Sequence, residues 1–155
     1  MKLRFVWIGK TRRAPIKELV EEYLERLRHF APVEVTELRD RKDVGGDRRQ
    51  IIDREGGDIL SRLSNGAFVV ALDERGREMD SLKLAEFIDR HRTGGTRQME
   101  FVIGGPAGLS DEARQRAGLV LSLSRLTLTH EMARVLLTEQ VYRALTIIHD
   151  LPYQK

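Results

Sequence analysis

Short apolar segments alternate with segments of helical periodicity along all 155 residues of the chain. After Pro15, for example, apolar side chains recur at three- and four-residue steps, as they do on one face of a helix. The alternation predicts a single α/β domain over residues 1–155, with a mainly parallel sheet of about five strands and helices on both faces. The strands are predicted at residues 3–8, 33–38, 67–72, 99–103 and 121–128.

Polar and glycine-containing segments separate these predicted elements. Residues 73–80 are expected to form a charged loop, after which Ser81 is expected to cap a helix. Ser110 is expected to cap the next helix in the same way. Gly56 and Gly57 weaken the helix predicted around residues 51–63, because glycine costs about 1 kcal/mol in a helix interior.

The composition excludes several classes of function. The net charge is only +3, from 27 basic and 24 acidic residues, so an anionic partner is permitted but not required. The lack of cysteine excludes disulfides, thiolate metal sites and cysteine nucleophiles. No apolar run approaches the ~20 residues of a membrane span, and the first residues do not resemble a signal peptide. We therefore expect a soluble cytoplasmic protein that has no membrane partner.

A glycine-rich turn follows the predicted strand at residues 99–103. Gly104, Gly105 and Gly108 lie where α/β folds bind ligands, at the carboxyl end of a parallel strand. Ile103 breaks the spacing of a dinucleotide-binding motif, and no Gly-Lys-Ser/Thr follows to make a phosphate-binding loop. The turn is therefore interpreted either as a ligand-binding backbone or as an ordinary tight turn.

The segment 122–129 is rich in hydroxyl groups and leads into the last predicted helix. Its backbone amides and carbonyls could hold a purine-like group, or it could be a terminal strand with Thr129 capping the helix. His130 begins a sequence that resembles a zinc-protease motif, but Arg134 replaces the second histidine. No metal site is therefore predicted, and His130 is interpreted either as a polar residue at a helix start or as a candidate for catalysis.

The last predicted helix, residues 131–148, is apolar nearly all round. Such a helix must be buried, either in the core or against a second subunit. On it, Glu139 and Arg143 are spaced to form an ion pair, although Arg143 could instead bind a phosphate or a base. The terminal Tyr153 is either frayed or able to stack on a base.

Four motifs together resemble the ribosomal RNA large subunit methyltransferase H family, a group of small SPOUT-class enzymes. The motifs are FVIGGPAG at 101–108, SLSRLTLTH at 122–130, EQVYRA at 139–144, and Pro152-Tyr153. The resemblance covers the whole chain and implies a C-terminal trefoil knot, an exception to the rule that folds are unknotted. It also implies a homodimer that acts on the ribosome.

The reaction implied by this resemblance is transfer of a methyl group from S-adenosyl-L-methionine. The implied acceptor is N3 of a pseudouridine in the helix 69 loop of 23S ribosomal RNA. The candidate catalytic residues are Arg143, Tyr153 and His130, and no general base is identified. The positions matching the family's cofactor site are Leu72, Gly104, Gly105, Ser124, Arg125, Leu126, Thr127, Leu128 and Thr129.

The C-terminal tail departs from the family pattern. The family usually ends Asn-His-Pro-Tyr-His-Arg, whereas this chain ends Asp150-Leu151-Pro152-Tyr153-Gln154-Lys155. Lysine keeps the charge of arginine but not its planar fork. Two alternatives therefore stay open: a SPOUT methyltransferase with another acceptor such as transfer RNA, and a non-catalytic ribosome-binding module.

Overall fold

The structure is a computed structural model that describes residues 1–41 and 45–153. Its described part contains one five-stranded sheet in which every neighbouring pair is parallel, in the order β2-β1-β4-β3-β5. The strands are β1 (Lys2–Ile8), β2 (Val33–Leu38), β3 (Phe68–Glu78), β4 (Gln98–Ile103) and β5 (Leu119–Ser122). The helices are α1 (Ala14–Arg28), α2 (Arg48–Arg62), α3 (Ser81–Thr93), α4 (Asp111–Arg116) and α5 (His130–Ile148). The predicted α/β class and parallel sheet are confirmed.

Helices cover both faces of the sheet, as predicted. Helix α5 packs against α1 and α3 on one face, and α2 packs against α4 on the other. Strand β1 supplies both layers by alternation: Phe5 and Trp7 join the core under α1, α3 and α5, whereas Val6 and Ile8 join the core under α2 and α4. The sheet is therefore buried on both sides, which explains the continuous apolar runs of its central strands.

Strand β3 extends beyond the predicted end, so the prediction of a charged loop at 73–80 is wrong. Both Leu72 and Arg77 are in register with Leu121, which means that residues 73–76 form a bulge between two paired parts of β3. Gly76 returns the chain to the sheet, where a Cβ atom would lie 2.7 Å from the Leu121 carbonyl carbon. The charged residues of the bulge interrupt the apolar pattern of β3, so the sequence pattern does not show that the strand continues beyond them.

Two further boundaries differ from the predictions. Strand β5 ends at Ser122 rather than at residue 128, and residues 123–129 form a loop. Helix α3 is capped by Asp80 rather than Ser81, because the Asp80 carboxylate accepts a hydrogen bond from the Lys83 N–H at 2.7 Å. The predicted cap at Ser110 is confirmed by its bond from the Ala113 N–H.

The C-terminal trefoil knot implied by the resemblance stays a prediction. Of the helices in residues 1–41 and 45–153, none is long and apolar enough to cross a membrane. The strand order brings the carboxyl ends of β4, β3 and β5 side by side. The loops that leave these three ends form the candidate site.

Candidate active site

A cavity of about 540 Å³ lies at the carboxyl ends of β3, β4 and β5. We call it the edge pocket. Three chain segments form most of its wall: the start of the β3 bulge, the glycine turn after β4 and the loop after β5. Its lining residues include Leu72 to Arg75, Ile103 to Leu109, Leu123, Ser124, Leu126 to Leu128, His130 and Ala133.

The glycine turn closes on itself by a short antiparallel bridge. The Gly108 N–H donates to the Gly105 carbonyl at 2.9 Å. A Cβ atom on Gly104 would lie 3.0 Å from the Gly108 carbonyl oxygen, and one on Gly105 would lie 2.5 Å from a carboxylate oxygen of the buried Glu55. Packing within the protein therefore requires Gly104 and Gly105, as an ordinary tight turn can. The backbone of the turn also lines the pocket, and its role in binding a ligand stays a prediction.

The loop after β5 contributes an exposed backbone. The Leu126 N–H donates to Ser124 Oγ at 2.9 Å, which fixes a tight turn. Among the described residues, the backbone groups of 124–128 make no hydrogen bond to another backbone group. Thr129 ends the loop by capping α5, with its hydroxyl oxygen accepting from the Met132 N–H at 3.2 Å. The loop thus offers donors and acceptors to a ligand, while Thr129 has the capping role that was the alternative interpretation.

Seven of the nine predicted cofactor residues line the edge pocket. They are Leu72, Gly104, Gly105, Ser124, Leu126, Thr127 and Leu128. The other two point elsewhere: Arg125 forms an ion pair with Glu78 at 2.8 Å, and Thr129 caps α5. Their roles in binding a cofactor stay predictions, as do those of the seven.

A charged rim on the pocket was missed by the sequence analysis. The Asp73 carboxylate, with only 9% of its side chain exposed, accepts a hydrogen bond from Arg114 at 2.8 Å and from the Arg75 N–H at 2.9 Å. Hydrogen bonds to Asp111 and Asp73 raise the pKa of Arg114, although burial opposes the shift. Arg48 donates to the Ala107 carbonyl at 3.1 Å. In the sequence, this rim is indicated only by the point at which the apolar run of residues 67–72 gives way to Asp73.

Of the three predicted catalytic residues, only His130 lines the edge pocket. It is the first residue of α5, and Ala133, one turn later, lines the pocket with it. Arg143 lies 13 residues further along α5. At about 1.5 Å of rise per residue, that spacing places it roughly 20 Å from His130 along the helix axis.

Arg143 and Tyr153 belong to a separate group of side chains, which we call the tail cluster: Tyr23, Glu139, Tyr142, Arg143 and Tyr153. Arg143 pairs with Glu139 at 2.6 Å, and its guanidinium carbon lies 4.7 Å from the centre of the Tyr153 ring. The Tyr153 hydroxyl donates to Glu139 at 3.2 Å. The ion pair that was the alternative role for Arg143 is therefore present.

The surroundings of Tyr153 in the tail cluster keep its hydroxyl group in the neutral form. Burial raises the pKa of Tyr153 well above its usual value, and hydrogen bonding to Tyr23 and the charge of Glu139 add to the shift. Tyr153 therefore does not serve as a base near neutral pH. Gln154 and Lys155, which complete the altered tail, lie outside the described residues. Across the described ranges, no group of three or more acidic or histidine side chains is arranged to hold a metal ion.

Comparison with known proteins identifies the class of protein to which this fold and its pocket belong. A sequence model described as "Predicted SPOUT methyltransferase" matches residues 1–154. The chain also shares its fold with a probable methylase family protein from Haemophilus influenzae Rd KW20, with a TM-score of 0.55 and 14% identity over 99% of this chain and 70% of that one. The class is thus that of the SPOUT methyltransferases.

Curated relatives narrow the class to one family. The chain is 50% identical over 153 residues to Ribosomal RNA large subunit methyltransferase H of Trichlorobacter lovleyi, covering 99% of each chain. It is 41% identical over 153 residues to the protein of that name from Syntrophotalea carbinolica, covering 99% of this chain and 98% of that one. The chain belongs to the ribosomal RNA large subunit methyltransferase H family. The resemblance drawn from the four motifs is confirmed.

Proposed function

We propose that this protein transfers a methyl group from S-adenosyl-L-methionine to N3 of a pseudouridine in the helix 69 loop of 23S ribosomal RNA. The acceptor is the assembled ribosome, the enzyme is a homodimer, and the reaction takes place in the cytoplasm. The observation that carries the proposal is the edge pocket, in a chain whose relatives are named as ribosomal RNA methyltransferases. Membership in a methyltransferase family favours this function over a non-catalytic ribosome-binding module.

The edge pocket fits a nucleoside-sized methyl donor. Its volume of about 540 Å³ lies within the range of small-molecule sites. Among the described residues, no other backbone group pairs with the backbone of residues 124–128, although the Leu126 N–H and the Ser124 carbonyl pair with serine hydroxyls. The remaining donors and acceptors can pair with the edge of an adenine. Leu72, Ile103 and Leu128 supply apolar surface for the ring. S-adenosyl-L-methionine would be held by these groups and would supply an electrophilic methyl.

The chemistry that remains for the protein is mainly alignment. A bond forms between N3 and the methyl carbon while the bond from sulfur to that carbon breaks, and N3 loses its proton. A base or a stabilised anion is needed for that proton. Tyr153 is held neutral by the raised pKa of its hydroxyl, so we assign it and Arg143 to holding the nucleotide. His130 is the predicted catalytic residue that already faces the pocket.

The proposed homodimer brings together the edge pocket and the tail cluster, which lie apart within one chain. Within one chain these lie at opposite ends of α5, roughly 20 Å apart at about 1.5 Å per residue. Beside the pocket, Leu126 is 77% exposed and Met132 is 40% exposed, which leaves apolar surface for a partner. In the proposed dimer, the tail cluster of one copy approaches the edge pocket of the other.

The test is transfer of labelled methyl from S-adenosyl-L-methionine to ribosomes that lack this modification. Free ribosomal RNA and transfer RNA are assayed alongside, and the labelled nucleotide is mapped. We expect label at N3 of the helix 69 pseudouridine on ribosomes. Label confined to transfer RNA would contradict the proposed acceptor.

A matched pair of variants ties the activity to the edge pocket. Thr127→Trp places a bulky ring in the pocket from an exposed loop position, and we expect it to abolish cofactor binding and methyl transfer. Thr93→Trp makes the same change at the exposed end of α3 and should leave both unchanged. Gly105→Val is unsuitable because its side chain would collide with Glu55 whether or not a cofactor binds there.

A transfer RNA acceptor is the second candidate, and the altered tail favours it. Asp150 and Leu151 replace the Asn-His pair of the family tail, which adds a negative charge near the proposed nucleotide site. The same assay distinguishes the two candidates, because each predicts label on a different RNA. Exchange of residues 150–155 for the family sequence should restore ribosomal activity if the tail alone has changed the acceptor.

A further inference from the structure

The loop between β1 and α1 carries three positively charged side chains at the carboxyl edge of the sheet. Lys10, Arg12 and Arg13 are all exposed, and no ion pair to any of them is present among the described residues. We call residues 9–13 the basic loop. Gly9 begins it with a φ of +80°, a conformation that turns the chain sharply out of β1.

Helix α5 holds the backbone of the basic loop in place. The Glu131 carboxylate accepts hydrogen bonds from the Arg12 N–H at 2.9 Å and the Arg13 N–H at 3.4 Å. Arg134 donates to the Thr11 hydroxyl at 2.7 Å and to the Ile8 carbonyl at 2.7 Å. The two side chains of α5 thereby fix the loop from both ends.

Both of these α5 side chains are buried, which makes the attachment unusual for a surface loop. Arg134 is fully buried, with its guanidinium carbon 5.1 Å from the centre of the Trp7 ring, and Glu131 is only 8% exposed. Burying charged groups is costly unless they are paired. The Arg134 guanidinium is paired through its two terminal nitrogens, which donate to Thr11 and Ile8, whereas its Nε has no hydrogen-bond partner among the described residues. The three exposed cations consequently project from a backbone of fixed shape.

The same turn of α5 also forms part of the edge pocket. His130 and Ala133 line the pocket, while Glu131 and Arg134, on another side of the helix, hold the basic loop. Strand β1, which leads into the loop, lies next to β4, which leads into the glycine turn of the pocket. The basic loop and the edge pocket are therefore connected through one rigid element and open at the same edge of the sheet.

We propose that the basic loop binds the phosphate backbone of the RNA substrate next to the nucleotide that is methylated. The inference rests on the proposed function, because it assumes an RNA acceptor. Phosphates are favoured as the partner because three closely spaced cations on a fixed backbone match the repeated charge of a nucleic acid strand. Glu37 at the base of the loop accepts from the Thr11 N–H and the Trp7 indole, each at 3.4 Å, and among the described residues it forms no ion pair with the three cations.

The test compares two triple variants that remove the same charge. In the loop variant Lys10, Arg12 and Arg13 are changed to alanine; in the control variant Arg90, Arg92 and Arg97 are changed to alanine. The control residues are exposed and lie at the opposite, amino edge of the sheet. Affinity for ribosomes and for free 23S RNA is measured over a range of salt concentrations, together with cofactor affinity and methyl transfer by the unaltered protein.

We expect the loop variant to bind both forms of RNA on the order of 10-fold more weakly, with a logarithmic salt slope shallower by about 2. Its cofactor affinity should not change, because none of its three residues lines the edge pocket. The control variant should bind RNA as the unaltered protein does. Weaker RNA binding in the loop variant, with unchanged binding in the control variant, would show that the position of the three charges decides RNA affinity and not the total charge removed.

Three results would overturn the proposal. The first is a loop variant with unchanged affinity and salt slope, and the second is an equal loss in the control variant. The third is weaker binding to ribosomes with unchanged binding to free RNA, which would identify an acidic protein surface as the partner. Failure of the unaltered protein to methylate any RNA would instead reject the proposed function, so the two failures are distinguishable.

Discussion

At the scale of single residues, the ion pair between Arg4 and Glu100 shows how a buried charge positions an element. Glu100 is fully buried and accepts a hydrogen bond from Arg4 at 3.1 Å and from the Ser64 N–H at 3.2 Å. Arg4 also donates to the Arg62 carbonyl at 2.7 Å, where α2 ends. The pair thereby fastens the end of α2 to the sheet.

Removal of one partner should cost more than removal of both. We expect Glu100→Ala to lower the free energy of unfolding by about 3–5 kcal/mol, because it removes the buried counter-charge of Arg4 and leaves only the partly exposed Glu34 carboxylate at 3.4 Å. The double variant Arg4→Met/Glu100→Met should recover part of that loss. Urea denaturation measures both changes. A double variant that is less stable than Glu100→Ala would contradict this account.

His91 provides a pH-dependent contribution to stability. Its ring centre lies 3.9 Å from that of Phe68 and 4.7 Å from that of Phe87. Burial lowers the pKa of His91 below its usual value of 6.5, and the nearby charge of Arg90 adds to the shift. The native state therefore favours the neutral ring. The stability that His91 contributes is complete above the pKa of its ring in the unfolded state, and it is lost as the pH falls through 6.5 toward the lower pKa of the folded state.

Thermal melting from pH 8 to pH 5 tests this contribution. We expect the melting temperature of the unaltered protein to fall more steeply below about pH 6.5 than that of His91→Gln, which cannot be protonated. His149→Gln is the control, because it removes a histidine from a different part of the chain. Equal pH dependence in the unaltered protein and His91→Gln would show that other groups cause the slope.

At the scale of elements, helix α2 contains two adjacent glycines with opposite structural roles. A Cβ atom on Gly56 would lie 2.6 Å from Ser110 Cβ, which shows that α2 approaches the start of α4 too closely for a side chain. A Cβ atom on Gly57 would have no other atom within 4 Å. Only the first glycine is required by packing.

Alanine at these two positions should change stability in opposite directions. Gly57→Ala is expected to raise the free energy of unfolding by about 0.5–1 kcal/mol, because alanine is the better helix former. Gly56→Ala is expected to lower it by about 1–3 kcal/mol, as overpacking does. Denaturant midpoints of the two variants give the comparison. The same sign of change in both variants would mean that helix propensity alone decides their stability.

At the scale of the whole molecule, the separation of the edge pocket from the tail cluster makes the assembly testable. We expect light scattering to give a mass twice the 17.8 kDa of one chain. Met132→Glu, which places a charge on the exposed apolar surface beside the pocket, should yield monomers that lack methyl transfer but keep their fold. Leu19→Glu, at a 44% exposed position on α1, is the control and should remain dimeric. A monomeric mass for the unaltered protein at micromolar concentration would contradict the proposed dimer.

Local sequence signals determined the elements and much of the candidate pocket. Strand and helix periodicities are local properties, so they predicted the parallel sheet, the covering helices and the glycine turn. Seven of the cofactor residues that the family resemblance implied line one cavity, because loops that follow parallel strands meet at a common edge. The four motifs also identified the family, which the match over residues 1–154 and the 50% identical relative confirm.

Only the tertiary structure decided which distant residues meet. The bulge in β3 is stabilised by pairing with β5 more than 40 residues later, so the charged segment 73–76 gives no local sign of it. Likewise, Glu131 and Arg134 contact the basic loop across more than 115 positions, and Glu55 lies against Gly105. Such contacts depend on how helices are placed on the sheet, which is a property of the assembled core and not of any short segment.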